Sequence, residues 1–345
     1  MKKQSELRSG WTTGACAAAA AKAAWLGLTT ESFPDPVEII LPRGEHPSFS
    51  LSRHELKDGV ALAGVIKDAG DDPDVTHGAE IVASVQRASP GSGLIFKAGE
   101  GVGKVTRPGL PLAVGEPAIN PGPRFIIAAN LGAIDAEVTI SIPGGEALAA
   151  KTLNARLGIL GGLSILGTTG IVRPFSQSAW IQSIHRAVDV ARACDCKHLA
   201  GVTGRTSETA VKRELGLGET AIIEMGDFVG ALLKYLRRRR VERLTIVGGF
   251  AKLTKLATGE LDLHSGKSRV DIARLAGWGG ADFAKLAREA NTAMAVLEMA
   301  EGAGLNLGEI VAERARQQVL SVLDNGTEIV ILVTDRRGRI IGRAG

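Results

Sequence analysis

Cysteine is nearly absent, with three in 345 residues, and two of those, Cys194 and Cys196, stand only two positions apart. That scarcity excludes a disulfide framework and fits a reducing compartment, so a cytoplasmic location is expected. No apolar run approaches the roughly 20 residues that a membrane span needs. The stretch from Ala15 to Ala24 is mostly alanine and is interrupted by Lys22, which argues against a signal-peptide core. Charge of one sign is also lacking. A net charge of +4 with dispersed basic residues suits a small acidic molecule and is too weak for nucleic acid. The one basic run, Arg237 to Arg240, follows an apolar helical pattern, where cations suit the C-terminal end of the helix dipole. Several motifs are missing as well. No Gly-Lys-Ser/Thr closes a phosphate loop, and GILGGL lacks the dinucleotide spacing. Cys194, Cys196 and His198 alternate without a second ligand pair, so no protein-bound metal is expected.

What is present is enough apolar residue, 45% of the chain, to bury a sizeable core in two domains. The first strong element reads TTGACAAAAAKAAWLGL, an alanine helix that Thr12 or Thr13 can cap and that can pack very closely. Cys16 within it reads as a small packing residue. Short extended pieces follow: VEIILP from Val37, a segment near Ser48 to Leu51, AEIVASVQ from Ala79, GLIFKAGEGVG and AEVTISI. The loop KVTRPGLPLAVGEPAINPGPR carries five prolines, which forbid a long helix. This half is α+β in character. From Gln177 helical and strand patterns alternate: Ile181, Ile184, Val188 and Ala191 recur at helical spacing, then HLAGVTG, LTIVGGF and EIVILVTD read as buried strands. Helices are expected over Gly226 to Arg239, near Asp282 to Glu301, and over Leu307 to Leu323. The expectation is an α+β N-terminal domain over residues 1–148 and an α/β C-terminal domain over 149–345 with a largely parallel, Rossmann-like sheet.

Three groups of residues could carry chemistry. The stretch from Gly158 to Gly170 holds Gly161, Gly162, Thr168, Thr169 and Gly170, a composition that permits close backbone approach to a ligand and equally serves a tight turn. The loops at Gly204, at Gly226 with Asp227, and at Gly248 follow predicted strands, where open parallel sheets hold ligands. These residues form the expected cofactor site. In KDAGDDPDVTHG, four carboxylates repel one another unless a cation, amides or solvent intervene, so the segment is either a solvated turn or a reactive loop. Pro73 stands where a calcium loop needs its glycine. The reactive reading makes Asp68, Asp72 or His77 a proton acceptor. Finally, Lys67, Arg107, Arg124, Arg156 and Arg173 lie beside glycines and prolines, a setting that suits carboxylate recognition.

Taken together, GWTTGACAAAAAKAA, KDAGDDPDVTHG, GEGVGKVTRPGLPLAVGEPAINPGPR, TLNARLGILGGLSILGTTGIVRP, MGDFVG and KLATGELDLHS resemble the cobalt-precorrin-5B C(1)-methyltransferase family. The blocks run from about residue 8 to about 270, with Trp11 and Ala15 departing from residues common in the family. The resemblance implies S-adenosylmethionine as methyl donor and a corrinoid acceptor that carries its own cobalt. Its acetate and propionate groups would give the arginines a purpose, and homo-oligomerisation is compatible with the sequence. Two other classes fit the residues less well: a tetrapyrrole carrier without a donor site, and a nucleotide-using kinase or oxidoreductase.

Overall fold

The computed structural model describes residues 7–345 and divides them into two compact units, with the division between Gln177 and Ser178. The first unit runs β1 (Gly10–Trp11), α1 (Thr13–Thr30), β2 (Val37–Glu38), β3 (Ser48–Phe49), β4 (Arg53–Lys57), β5 (Val60–Ile66), β6 (Glu80–Arg87), β7 (Leu94–Ala98), β8 (Lys104–Val105), α2 (Pro121–Leu131), β9 (Ala136–Ser141), α3 (Gly145–Ala149), β10 (Ile159–Leu160) and β11 (Ile171–Val172). Its main sheet has the order β4-β5-β6-β9-β7, antiparallel except where β7 runs parallel to β9.

Thr12 caps α1 by accepting from the amide of Ala15 at 3.2 Å. Ala15, Cys16, Ala17 to Ala21, Ala23 and Ala24 are all buried, and the helix lies over β5 and β6 and against α2. The facing strand residues are small too: Ala61, Ala63 and Ala83 are fully buried, and Ala63 pairs with Ala83. Small side chains on both sides let helix and sheet approach closely, and alanine loses no rotamer freedom there. The prolines after β8 do not forbid α2, because Pro121 occupies its first turn, where a missing amide costs nothing.

The expected boundary near residue 148 falls inside this unit. Residues beyond it return to the first unit's own strands: Ile159 pairs with Val105, and Ile171 pairs with Trp11. The glycine-rich change of texture marks an irregular segment stitched into the first unit, and the expected Gly158–Gly170 cofactor loop is therefore not part of the parallel sheet.

The second unit runs α4 (Gln177–Ala193), β12 (His198–Val202), α5 (Arg205–Leu215), β13 (Ile222–Glu224), α6 (Val229–Arg238), β14 (Arg243–Gly249), α7 (Phe250–Ala257), α8 (Ile272–Gly277), α9 (Ala281–Leu286), α10 (Ala293–Gly302), α11 (Leu307–Leu323), β15 (Glu328–Thr334) and β16 (Ile340–Ala344). The helix expected near residues 282–301 is two helices, the second capped by Thr292. The sheet order is β13-β12-β14-β15-β16, parallel through β15 and closed by antiparallel β16.

Side chains alternate across this sheet. On one face Val202, Ile222, Val247 and Leu332 pack with Ala210 and Val211 of α5. On the other, Leu199, Ile223, Ile246 and Ile331 meet Val188 of α4, Leu232 of α6, Leu253 of α7 and Val311 of α11. Burial on both faces explains why the strands read as continuous apolar runs. Each fully buried leucine or isoleucine contributes about 1.5–3 kcal/mol.

Candidate functional site

In the first unit, the acidic segment is a loop between β5 and β6, built around one buried cation. Lys67 is 2% exposed, and its ammonium donates to a carboxylate oxygen of Asp74 and to the Thr76 hydroxyl. Asp74 in turn accepts from the Thr76 amide at 2.8 Å, an Asx turn. Burial pushes the Asp74 carboxyl up, but the Lys67 charge and the hydrogen bonds from Lys67 and Thr76 outweigh it and leave it below the ordinary value. Lys67, expected to meet substrate, is thus sealed inside the loop and holds its shape.

The remaining acids face the chain's own backbone. Asp68 takes two hydrogen bonds from the Arg8 guanidinium and one from the Gly70 amide at 2.9 Å. The Arg8 bond, then the amide, hold its pKa at about 2, which makes it a poor base near neutrality. The Ala69 amide donates to His77 Nδ1 at 3.1 Å, so a neutral ring carries its proton on Nε2 and has no free lone pair there. Both residues were expected as proton acceptors, and their hydrogen bonding opposes that role. Asp72 differs: one oxygen accepts from the Phe175 amide at 2.8 Å, and the side chain keeps partial exposure. The loop therefore gathers Asp68, Asp72 and His77 with Arg8 and the residues around Phe175. Arg173, two positions before Phe175, is exposed and engages no partner among the described residues.

The other cations are bound elsewhere in this unit. Arg107 donates to the Arg156 carbonyl at 3.0 Å. Arg124 donates from Nε to the Ile119 carbonyl at 2.8 Å and from Nη2 to Glu116 at 2.8 Å, and it lies 5.4 Å from the Phe96 ring centre. With its fork spent on these groups, Arg124 ties the first turn of α2 to the preceding loop. In the glycine segment, a side chain at Gly162 would place its Cβ 2.3 Å from the Gly101 carbonyl oxygen, whereas nothing lies within 4 Å at Gly161. Gly162 thus serves backbone packing. The Thr169 hydroxyl and the Ile171 backbone bond locally at 3.3 Å.

In the second unit, the carboxyl ends of the parallel strands bring Gly204, Gly226, Asp227 and Gly248 to one edge. Strand growth reverses direction between β12 and β14, where open α/β sheets leave a crevice. Gly204 and Gly249 cap α5 and α7, and a Cβ at either would meet nothing within 4 Å. Gly248 is different, since its Cβ would lie 2.9 Å from Leu253, so it is a packing glycine. Behind Gly204, the buried hydroxyls of Thr203 and Ser207 lie 3.1 Å apart. Gly226 has φ +56, a left-handed turn that swings Asp227 back towards the edge.

Lys252, in the first turn of α7, links these loops. Its ammonium donates to the Thr203 carbonyl at 3.1 Å and lies 3.0 Å from Asp227 Oδ1. Sequence reasoning marks the nearby Gly248 and misses this lysine; its place in the first turn of a helix that follows a predicted strand is the available signal. Lys255, one turn further on, is buried and donates to the Leu263 carbonyl at 2.9 Å, securing the segment KLATGELDLHS. Of the residues considered for metal, Cys194 is exposed and His198 bonds the Thr245 hydroxyl at 2.8 Å. Among the described residues there is no group of three or more His, Cys, Asp or Glu placed to hold a metal ion, and no helix long and apolar enough to cross a membrane.

Parallel strands covered by helices on both faces, with one antiparallel strand at the margin, put the second unit in the mixed α/β class. Residues 1–174 match the family model described as CbiD, and residues 262–345 match the model of the CbiD C-terminal domain. The chain belongs to the CbiD family. A Paramagnetospirillum magneticum protein named cobalt-precorrin-5B C(1)-methyltransferase is 57% identical to it, covering 100% of both chains. A Brucella canis protein of the same name is 55% identical over 99% of this chain and 96% of its own. A crystal structure of a cobalamin biosynthesis protein (cbiD) from Archaeoglobus fulgidus is 26% identical, covers 87% of this chain and 85% of its own, and has a TM-score of 0.39.

Proposed function

We propose that this chain methylates C-1 of cobalt-precorrin-5B, with S-adenosylmethionine as donor and cobalt-precorrin-6A and S-adenosylhomocysteine as products. The observation that carries the reading is the 57% identity, end to end, to a relative named for that activity. The second unit is read as Rossmann-like, with the donor at the carboxyl edge beside Gly204, Gly226 and Asp227. Two features of the edge fit such a ligand: the open space at Gly204 and Gly249, and a buried Asp227 Oδ1 that no hydrogen bond satisfies.

The donor supplies a methyl group on a sulfonium, and the acceptor carbon is the nucleophile, so the protein's part is alignment and removal of one proton. Fixing reactants in line can lower the barrier by several kcal/mol. Asp72 is the proton acceptor in this reading, because its second oxygen is uncommitted and its first is anchored by the Phe175 amide. Arg173 meets an acceptor carboxylate through a charge-assisted bond. The cobalt belongs to the acceptor.

Thermal unfolding with S-adenosylmethionine, ATP and NAD in parallel tests the reading, because a ligand at 100 times its Kd adds about 2.7 kcal/mol to the folded state. Stabilisation by S-adenosylmethionine alone is expected. Stabilisation by ATP or NAD instead would return the kinase or oxidoreductase class, and no response to any of the three would return the tetrapyrrole carrier.

A further inference from the structure

The Lys252–Asp227 pair is unusual for an ion pair. It sits at the strand-order reversal, among loops whose backbone is open to ligand, and its geometry leaves one group unsatisfied. Asp227 Oδ1 is buried and lies 3.0 Å from Lys252 Nζ, yet no donor is aligned to form a hydrogen bond with it. A buried acceptor left without a hydrogen bond loses its hydration and gains nothing in return. Lys252 spends one N–H on the Thr203 carbonyl, and its side chain is 37% exposed. An ammonium has three donors, so a further N–H is available to an anion.

A positive and a negative group held side by side, one short of a donor and the other with a donor to spare, are complementary to a zwitterion of the same span. An α-amino acid is such a group: its ammonium would supply the N–H that Asp227 Oδ1 lacks, while its carboxylate would take the free N–H of Lys252. The exchange leaves the charge of the crevice unchanged, and the Thr203 carbonyl keeps the lysine pivot in place. We propose that Asp227 and Lys252 form the subsite for the amino-acid tail of the methyl donor, with Lys252 on its carboxylate and Asp227 on its ammonium. This rests on the donor-site reading above.

The test is calorimetric titration of the full chain with S-adenosylhomocysteine and with 5′-methylthioadenosine, which keeps the nucleoside and thioether but lacks the amino acid. The wild type, Lys252→Met, Lys252→Arg and Asp227→Asn are compared. Lys252→Met and Asp227→Asn should each weaken S-adenosylhomocysteine about tenfold or more, the scale for loss of a charged hydrogen bond. Methylthioadenosine should bind all four proteins within about twofold, and Lys252→Arg should recover part of the loss. Equal weakening of both ligands would mean that the pair only supports the loops, and no weakening of either would place the tail elsewhere; each result overturns the subsite. Failure of the wild type to bind S-adenosylhomocysteine at all would instead sink the donor reading itself, and this inference with it.

Discussion

Replacing Lys67 by methionine removes the cation paired with the Asp74 carboxylate while keeping most of the buried aliphatic volume. Breaking a buried pair by deleting one partner costs about 3–5 kcal/mol, and with 22% of the Asp74 side chain exposed the lower end, about 3 kcal/mol, is expected. The pH dependence makes the prediction specific. In the wild type the folded-state pKa of Asp74 is below its ordinary value, so its contribution is present above the unfolded pKa and lost as pH falls through the folded one. Without Lys67 the remaining effect of burial is to raise that pKa. The variant's deficit should then be greatest near neutral pH and should shrink as the pH falls towards about 4, where a protonated carboxyl no longer strands a charge. Urea unfolding of wild type, Lys67→Met and the neutral pair Lys67→Met/Asp74→Asn at pH 7 and pH 4.5 reads this directly. The double variant should recover much of the loss at pH 7. A deficit independent of pH, or a double variant less stable than the single one, would refute the view that Lys67 exists to neutralise Asp74.

Three other outcomes follow from the same geometry. Asp72→Asn keeps an oxygen for the Phe175 amide but loses basicity, so single-turnover methylation should slow more than tenfold with donor affinity unchanged; an unaltered rate across pH would make the loop purely structural. Gly162→Ala should destabilise the first unit by about 1–3 kcal/mol through overpacking against Gly101, whereas Gly161→Ala should cost only the left-handed penalty of about 1–2 kcal/mol, with thermal unfolding as the readout. Arg173→Gln should weaken acceptor binding by about 1.5–3 kcal/mol at low salt and less at high salt, while Arg124→Gln should lower stability instead.

Much of the second unit was legible because its information is local. HLAGV, LTIVGG and EIVILVT are apolar runs of strand length bounded by turns, and each became a parallel strand. β13, at three residues, is too short to stand out, and α5 is too polar. In the first unit, the alanine helix announced itself by composition, but the hairpin β4–β5 did not, since its outer strand is exposed throughout and apolar only at Leu56. The misplaced boundary has a different cause. Trp11 and Ile171 pair across 160 positions, and nothing in either segment names its partner. The site divides along the same line. Strand-end glycines mark a crevice because the backbone there is the signal, whereas the roles of Lys67, Arg124 and Lys252 depend on which carbonyls and carboxylates the fold brings to them. A lysine sealed against Asp74 and an exposed Arg173 look alike in sequence.

Transfer of a labelled methyl group tests methylation at C-1. Purified protein is incubated with cobalt-precorrin-5B and S-adenosylmethionine carrying a ¹³C-methyl group, and the corrinoid product is analysed by mass spectrometry and ¹³C NMR. One labelled methyl per ring, bonded to C-1, with an equal amount of S-adenosylhomocysteine released, is the predicted result. An unlabelled ring, or a label on any other carbon, would contradict it.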